Sequence, residues 1–136
     1  MLRYLLDADI CIHAFRSRTP DLRDRFVAHE GELALSTVTL MELLFGAEKS
    51  ARVDEGRREV AAFVARLTVL AYDDAAAAHT GHIRAALDRA GQRIGGYDVM
   101  IAGHARALGL IVASGNVGEF ARVHGICCED WIRGAP

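Results

Sequence analysis

The chain has 136 residues, 51% of them hydrophobic and 25% charged, with 16 basic and 18 acidic side chains and a formal charge of −2. This length suits one domain over residues 1–136 with a single buried core, and the composition excludes disorder. Every apolar run is broken well before the ~20 residues of a membrane span, and the opening residues lack a signal-peptide pattern, so a cytoplasmic protein is expected.

In chain order, residues 2–6 read as a short buried strand that ends at Asp7. Asp9 is placed to cap a helix over 10–16, and Thr19-Pro20-Asp21 starts a second helix that runs to about His29. Residues 32–35 form the next strand. Ser36 or Thr37 then begins a helix whose apolar residues Leu40, Leu43 and Leu44 recur at helical spacing, with Glu42 about two turns in. An amphipathic helix covers 52–67 and a strand covers 68–72. Asp73 or Asp74 caps an Ala-rich helix to about Ala90, which Gly91 ends. A Gly95-Gly96 turn delivers Tyr97 and Asp98 to a helix over 99–108, closed by Gly109. A strand over 110–113, the turn Ser114-Gly115-Asn116, a short helix through Val123 and an edge strand over 126–128 complete the chain. Strands separated by helices throughout predict an α/β fold, a parallel sheet with helices on both faces.

Three acids, Asp7, Glu42 and Asp98, fall where strand-like runs hand over to helix-like ones. In an open α/β sheet, ligands bind beyond the carboxyl ends of the strands, so these acids are expected to converge there. Carboxylates without compensating cations favour a hard ion, Mg²⁺ or Mn²⁺, which points to phosphodiester cleavage. Asp7 is left without a structural task once Asp9 is taken as the cap. Glu42 lies on or near a buried stripe that includes Thr39, where an unpartnered charge is expensive. The glycines before Asp98 would let a backbone or a phosphate come close. Ser114, Asn116 and Glu119 add a hydroxyl, an amide and a fourth carboxylate after a strand, suited to holding the other acids or an ion-bound water. Ser114 and Asn116 could equally serve as an ordinary turn and cap, and Glu42 as a structural partner of an Arg.

The remaining residues point away from other chemistries. Cys11, Cys127 and Cys128 are odd in number and lack a CxxC spacing, so they are expected to be small core residues rather than a disulfide or zinc set. His79 and His82 are three apart on a helix with no further ligand at metal spacing, and are expected at the surface. His13, His29, His104 and His124 are scattered. Setting aside Asp7, Glu42, Asp98 and Glu119 leaves 16 basic against 14 acidic residues, and all the cations but Lys49 are Arg. Such a surface permits a nucleic-acid substrate, because arginine forks suit phosphate.

Read together, these residues resemble the VapC family of PIN-domain ribonucleases. The resemblance is carried by Tyr4-Leu5-Leu6-Asp7 with Ile10-Cys11-Ile12, by Ser36 to Leu43 around Glu42 with Gly46-Ala47-Glu48-Lys49-Ser50, and by His79 to Arg84. It continues through Tyr97-Asp98-Val99-Met100-Ile101-Ala102-Gly103-His104-Ala105, Asn116 to Phe120, and Glu129-Asp130-Trp131. It implies a three-layer α/β/α PIN-like fold with a five-stranded parallel sheet, a homodimer, and Mg²⁺- or Mn²⁺-dependent endoribonuclease activity as the toxin of a type II toxin–antitoxin pair. It also implies a VapB-type antitoxin whose arginine-bearing tail enters the acidic site, a joint complex on promoter DNA, and a transfer RNA substrate, the initiator anticodon region in enteric members. Asp7, Glu42 and Asp98 carry over as metal ligands, and Asn116 stands at the family's fourth acidic position with Glu119 three residues later. The chain departs from the pattern at Ala8-Asp9, where many relatives have Thr-Asn or Ser-Asn, and at Ser114-Gly115-Asn116 in place of Thr-Asn-Asn.

Three rival readings follow from the same residues. Asp7-Ala8-Asp9 after a strand mimics a haloacid-dehalogenase-like phosphatase, but that chemistry and that of a receiver domain need a late Lys, and Lys49 comes too early. A catalytically silent protein that keeps the fold and the partner surface is the third.

Overall fold

Short runs of buried apolar residues form the central strands, because a strand covered by helices on both faces has no polar side. The computed structural model describes residues 1–16 and 20–132. In chain order the elements are β1 (Tyr4–Leu6), α1 (Ala8–Arg16), α2 (Pro20–Ala28), β2 (Leu33–Ser36), α3 (Thr37–Lys49), α4 (Val53–Val64), β3 (Thr68–Leu70), α5 (Asp74–Ala90), α6 (Gly96–Leu108), β4 (Ile111–Ser114), α7 (Val117–Phe120) and β5 (Cys128–Asp130). No helix among the described residues is long and apolar enough to cross a membrane.

The five strands are all parallel, in the order β3-β2-β1-β4-β5. The chain steps outward from β1 through β2 to β3, then returns to the far side of β1 for β4 and β5. The direction of winding therefore reverses between β1 and β4, and a crevice opens beyond their carboxyl ends. Tyr4 is in register with both Leu33 and Ile111, and Leu6 with Ala113.

Side chains alternate between two apolar layers, as the strand period of two requires. Leu5, Ala34 and Val112 face a layer that holds Ile83, Leu87, Ile101 and Phe120. Tyr4, Leu6, Leu35 and Ala113 face the other, which holds Ile10, Leu22, Leu43, Val60 and Trp131. The result is the three-layer α/β/α arrangement. Ser36 caps α3 by accepting from the Val38 N–H at 3.1 Å, and Asp73 caps α5 by accepting from the Ala76 N–H at 3.0 Å. Gly91 and Gly109 end α5 and α6 in the left-handed conformation expected of them.

Several boundaries differ from the sequence expectation. Thr19, the predicted start signal of the second helix, lies outside the described residues, and α2 is described from Pro20. β3 stops at Leu70, and the Tyr72 N–H donates to Thr37 Oγ1 at 3.1 Å instead of extending a ladder. The helix predicted over 52–67 is α4, shorter at both ends; at its C-terminus the Arg66 and Leu67 N–H groups bond carbonyls three residues back and tighten the chain. α6 starts three residues early, at Gly96, so Asp98 lies inside its first turn and is not its cap. The last strand is shifted two residues onward to Cys128–Asp130, because β5 follows β4 to its end, with Asp130 opposite Ser114 and Trp131 buried just beyond. Consequently Cys127 is exposed and Cys128 half-buried, and of the three cysteines only Cys11 is a core residue. His79 and His82 flank Arg106, whose Nε donates to His79 Nδ1 at 2.9 Å and whose Nη2 lies 3.0 Å from His82 Nδ1. His104 is buried, and its Nδ1 has no partner.

Candidate active site

The crevice at the β1/β4 switch point collects the predicted acids. Asp7 directly follows β1, and its N–H donates to the Ala113 carbonyl of β4 at 3.0 Å. Its carbonyl accepts from the Cys11 N–H and its Oδ1 from the Ala8 N–H at 2.8 Å, so Asp7 occupies the cap position of α1. Asp9 does not: it is the second residue of α1, and its Oδ2 accepts from the Gly115 N–H at 3.0 Å. Asp7, and not Asp9 as expected from the sequence, takes the cap, because the first helical residue is Ala8 and the group one place before it inherits the free N–H groups.

Ser114 ends β4 and is fully buried, and its hydroxyl donates to Asp7 Oδ2 at 2.9 Å while accepting from the Asn116 N–H at 2.8 Å. The Asn116 side-chain amide donates to Asp98 Oδ2 at 3.4 Å and also to Glu119 Oε2. Glu119 Oε1 accepts from the Gly95 N–H at 2.7 Å. A methyl group on Gly95 would lie 3.0 Å from Asp98 Oδ2, so this glycine leaves room for that carboxylate. Glu42, the sixth residue of α3, is half-buried. It is brought to the crevice because α3 leaves directly from β2 and Thr39, buried, donates to the Leu6 carbonyl at 3.5 Å. The sequence suggested Ser114 and Asn116 as partners of the acids and singled out the glycines before Asp98; it did not reveal that the Gly95 N–H holds Glu119 or that the Gly115 N–H holds Asp9.

The acids raise one another's proton affinity. Burial first, then the charge of Asp9, pushes Asp7 up to about 6, against the bonds from Ser114 and Ala8. Asp98 is pushed up to about 7 by burial and then by Asp7, Glu119 and Glu42. Glu42 is raised by burial and by Asp7 and Asp9. Glu119 moves the other way, lowered chiefly by the Gly95 N–H and Asn116. Among the described residues, none of the ion pairs to Arg, Lys or His involves Asp7, Glu42 or Asp98. An acid cluster that shares protons and lacks a cation has the donor chemistry of a hard-cation site. Among the described residues no three His, Cys, Asp or Glu side chains close into a ready-made cage around one ion. The donor set fits Mg²⁺ or Mn²⁺ in a partly open site, since Mg²⁺ usually keeps several waters and completes its shell with substrate phosphate.

The family model described as PIN domain matches residues 4–126. The chain is 48% identical over 131 residues to the tRNA(fMet)-specific endonuclease VapC of Shigella flexneri, covering 96% of this chain and 99% of that protein. It is 40% identical over 132 residues to Ribonuclease VapC2 of Haemophilus influenzae, with 97% and 100% covered. The crystal structure of DNA-bound VapBC from Salmonella typhimurium matches with a TM-score of 0.93 at 46% identity, covering 96% of this chain and 99% of that chain.

Proposed function

The chain belongs to the VapC family of PIN-domain proteins, and from that premise we propose that it is a toxin that cuts RNA as a divalent-metal-dependent endoribonuclease with initiator transfer RNA as its substrate. The observation that carries the reading is the set of acids gathered at the β1/β4 crevice, Asp7 held by Ser114 and Asp98 and Glu119 by Asn116, with none of Asp7, Glu42 and Asp98 ion-paired to a cation among the described residues. The substrate rests on the Shigella relative, named for tRNA(fMet) at 48% identity. A VapB-type antitoxin as partner, and promoter DNA for the joint complex, rest on the VapBC–DNA structure of the Salmonella relative. Exposed Met41, Leu44 and Phe45 on α3, beside Glu42, supply apolar surface for a homodimer. The cytoplasm, where its RNA and antitoxin are made, is the place of action.

Asp7, Glu42 and Asp98 would hold the ion, which when bound neutralises the scissile phosphate and supplies a water of lowered pKa for in-line attack. The protein's own groups orient those ligands. The Ala8 N–H and the Ser114 hydroxyl fix the two oxygens of Asp7 separately, leaving a lone pair on each for a ligand. Asn116 turns one amide toward both Asp98 and Glu119 and so sets the spacing of that pair. Glu119 accepts from the Gly95 N–H and from the Asn116 amide, which keeps it beside Asp98.

Incubating purified protein with total small RNA and Mg²⁺ or Mn²⁺, and mapping the 5′ ends of the products, tests the reading. One dominant cut in initiator transfer RNA, abolished by Asp7→Ala and by EDTA, is the expected result. A folded, antitoxin-free protein that neither cuts nor binds Mn²⁺ would instead be a silent interaction protein.

A further inference from the structure

The turn Ser114-Gly115-Asn116 is the mechanical centre of the site. Its first residue holds Asp7 and its third holds Asp98 and Glu119. Its middle residue has no side chain, and it is gripped from outside by Asp9, whose Oδ2 accepts from the Gly115 N–H at 3.0 Å. The fit is close: a methyl group on Gly115 would sit 2.9 Å from Asp9 Oδ2 and 2.3 Å from Ile132 Cδ1. The other oxygen of Asp9, Oδ1, is buried with no hydrogen-bond partner. Leaving a buried carboxylate oxygen unsatisfied is costly, so the bond that the other oxygen makes has to justify the residue.

We infer that Asp9 is a positioning residue for metal binding: it latches α1 to the β4–α7 turn through Gly115 and thereby holds Ser114 and Asn116 against the ligand carboxylates. The inference rests on the metal-nuclease reading, and it separates two things that Asp9 supplies, a hydrogen bond and a negative charge. Asp9→Asn keeps an acceptor for the Gly115 N–H and removes the charge. Asp9→Ala removes both. A residue acting through its charge on the ion fails equally in the two variants; a latch fails only in the second. A residue that merely stabilises the fold changes the melting temperature without changing the affinity of the folded protein.

The experiment is calorimetric titration of the ion-free full chain with Mn²⁺ for wild type, Asp9→Asn and Asp9→Ala, with the Gly115 amide resonance and the melting temperature recorded for each. Asp9→Ala is expected to weaken Mn²⁺ binding on the order of 10–100-fold, the usual loss when a group behind a metal ligand is removed, and to shift the Gly115 amide upfield. Asp9→Asn is expected to stay within about threefold of wild type, because the acceptor remains. Equal losses in Asn and Ala, or an unaltered affinity in Asp9→Ala, would each overturn the latch. If wild type itself binds no Mn²⁺, the metal reading fails, while the Gly115 resonance still decides whether Asp9 holds the turn.

Discussion

Replacing Asp7 by Asn should stabilise the ion-free protein while destroying its activity. Asp7 is 5% exposed and its pKa is raised from 3.8 to about 6, first by burial and then by Asp9. A raised carboxylate pKa means that the folded state prefers the protonated form. The stability this group contributes is therefore fully present below its unfolded value near pH 3.8 and is lost as pH rises through about 6. At about 1.4 kcal/mol for each tenfold change in proton affinity, the full cost of ionising Asp7 in the fold above pH 7 is roughly 3 kcal/mol. Asn keeps an acceptor for the Ala8 N–H and presents an amide to the Ser114 oxygen, so a gain of about 1–3 kcal/mol over wild type is expected at pH 8, shrinking toward zero near pH 4. Urea denaturation in EDTA at both pH values measures it; with a slope of about 1–3 kcal/mol per molar, the midpoint should rise by roughly 1 M at pH 8. In Mn²⁺ at a hundred times its dissociation constant the gap should close or reverse, because wild type gains about 2.7 kcal/mol from binding that the variant lacks. An Asn variant less stable than wild type in EDTA at pH 8, or a difference that does not depend on pH, would refute the electrostatic account of the crevice.

Because Asp7 and Asp98 titrate near 6 and 7, protons compete with the ion, and Mn²⁺ affinity should rise as pH increases through that window; calorimetry in buffers of different ionisation heat should report protons released per ion, and a pH-independent affinity would contradict this. Gly103→Ala should destabilise by more than about 2 kcal/mol, since its methyl group would meet Thr80 Oγ1 at 2.0 Å and the Thr80 backbone at 2.7 Å across the α5–α6 contact; thermal melting checks it. Trp131→Ala should cost about 3–5 kcal/mol, as the indole is 1% exposed in the layer shared with Tyr4 and Phe26, and denaturation with a loss near zero would show that the C-terminal segment does not anchor the fold.

Most of the architecture is legible from hydrophobic runs and caps: Ser36, Asp73, Gly91 and Gly109 mark helix ends where the structure has them. The sheet order is not legible in those runs, because which strand neighbours β1 depends on packing between residues more than a hundred positions apart, such as Leu6 and Ala113. The edges were hardest to place. β5 carries polar Glu129 and Asp130, which no apolar pattern would assign to a strand; their place follows from alignment with β4. Of the three acids expected at strand-to-helix junctions only Asp7 lies at one: Glu42 is the sixth residue of α3, and Asp98 is in α6, which follows the helix α5 and not a strand. Nor could the division of labour between Asp7 and Asp9 be read from the sequence. A one-residue difference in the start of α1 decides which acid caps the helix and which reaches Gly115. The same detail removes the phosphatase reading, since Asp9 is turned onto a backbone amide and is not free to serve as an acid beside Asp7.

The central claim is that Asp7, Glu42 and Asp98 together hold the ion that cuts RNA, and single-turnover cleavage of purified initiator transfer RNA tests it most directly. With wild type in Mg²⁺ or Mn²⁺, a single discrete cut is predicted. Asp7→Asn, Glu42→Gln and Asp98→Asn should each reduce its rate by at least about 10²-fold while remaining folded, as expected when a group that stabilises charge in the transition state is lost. Cleavage that survives EDTA, or an Asp98→Asn protein that cuts at the wild-type rate, would contradict the account.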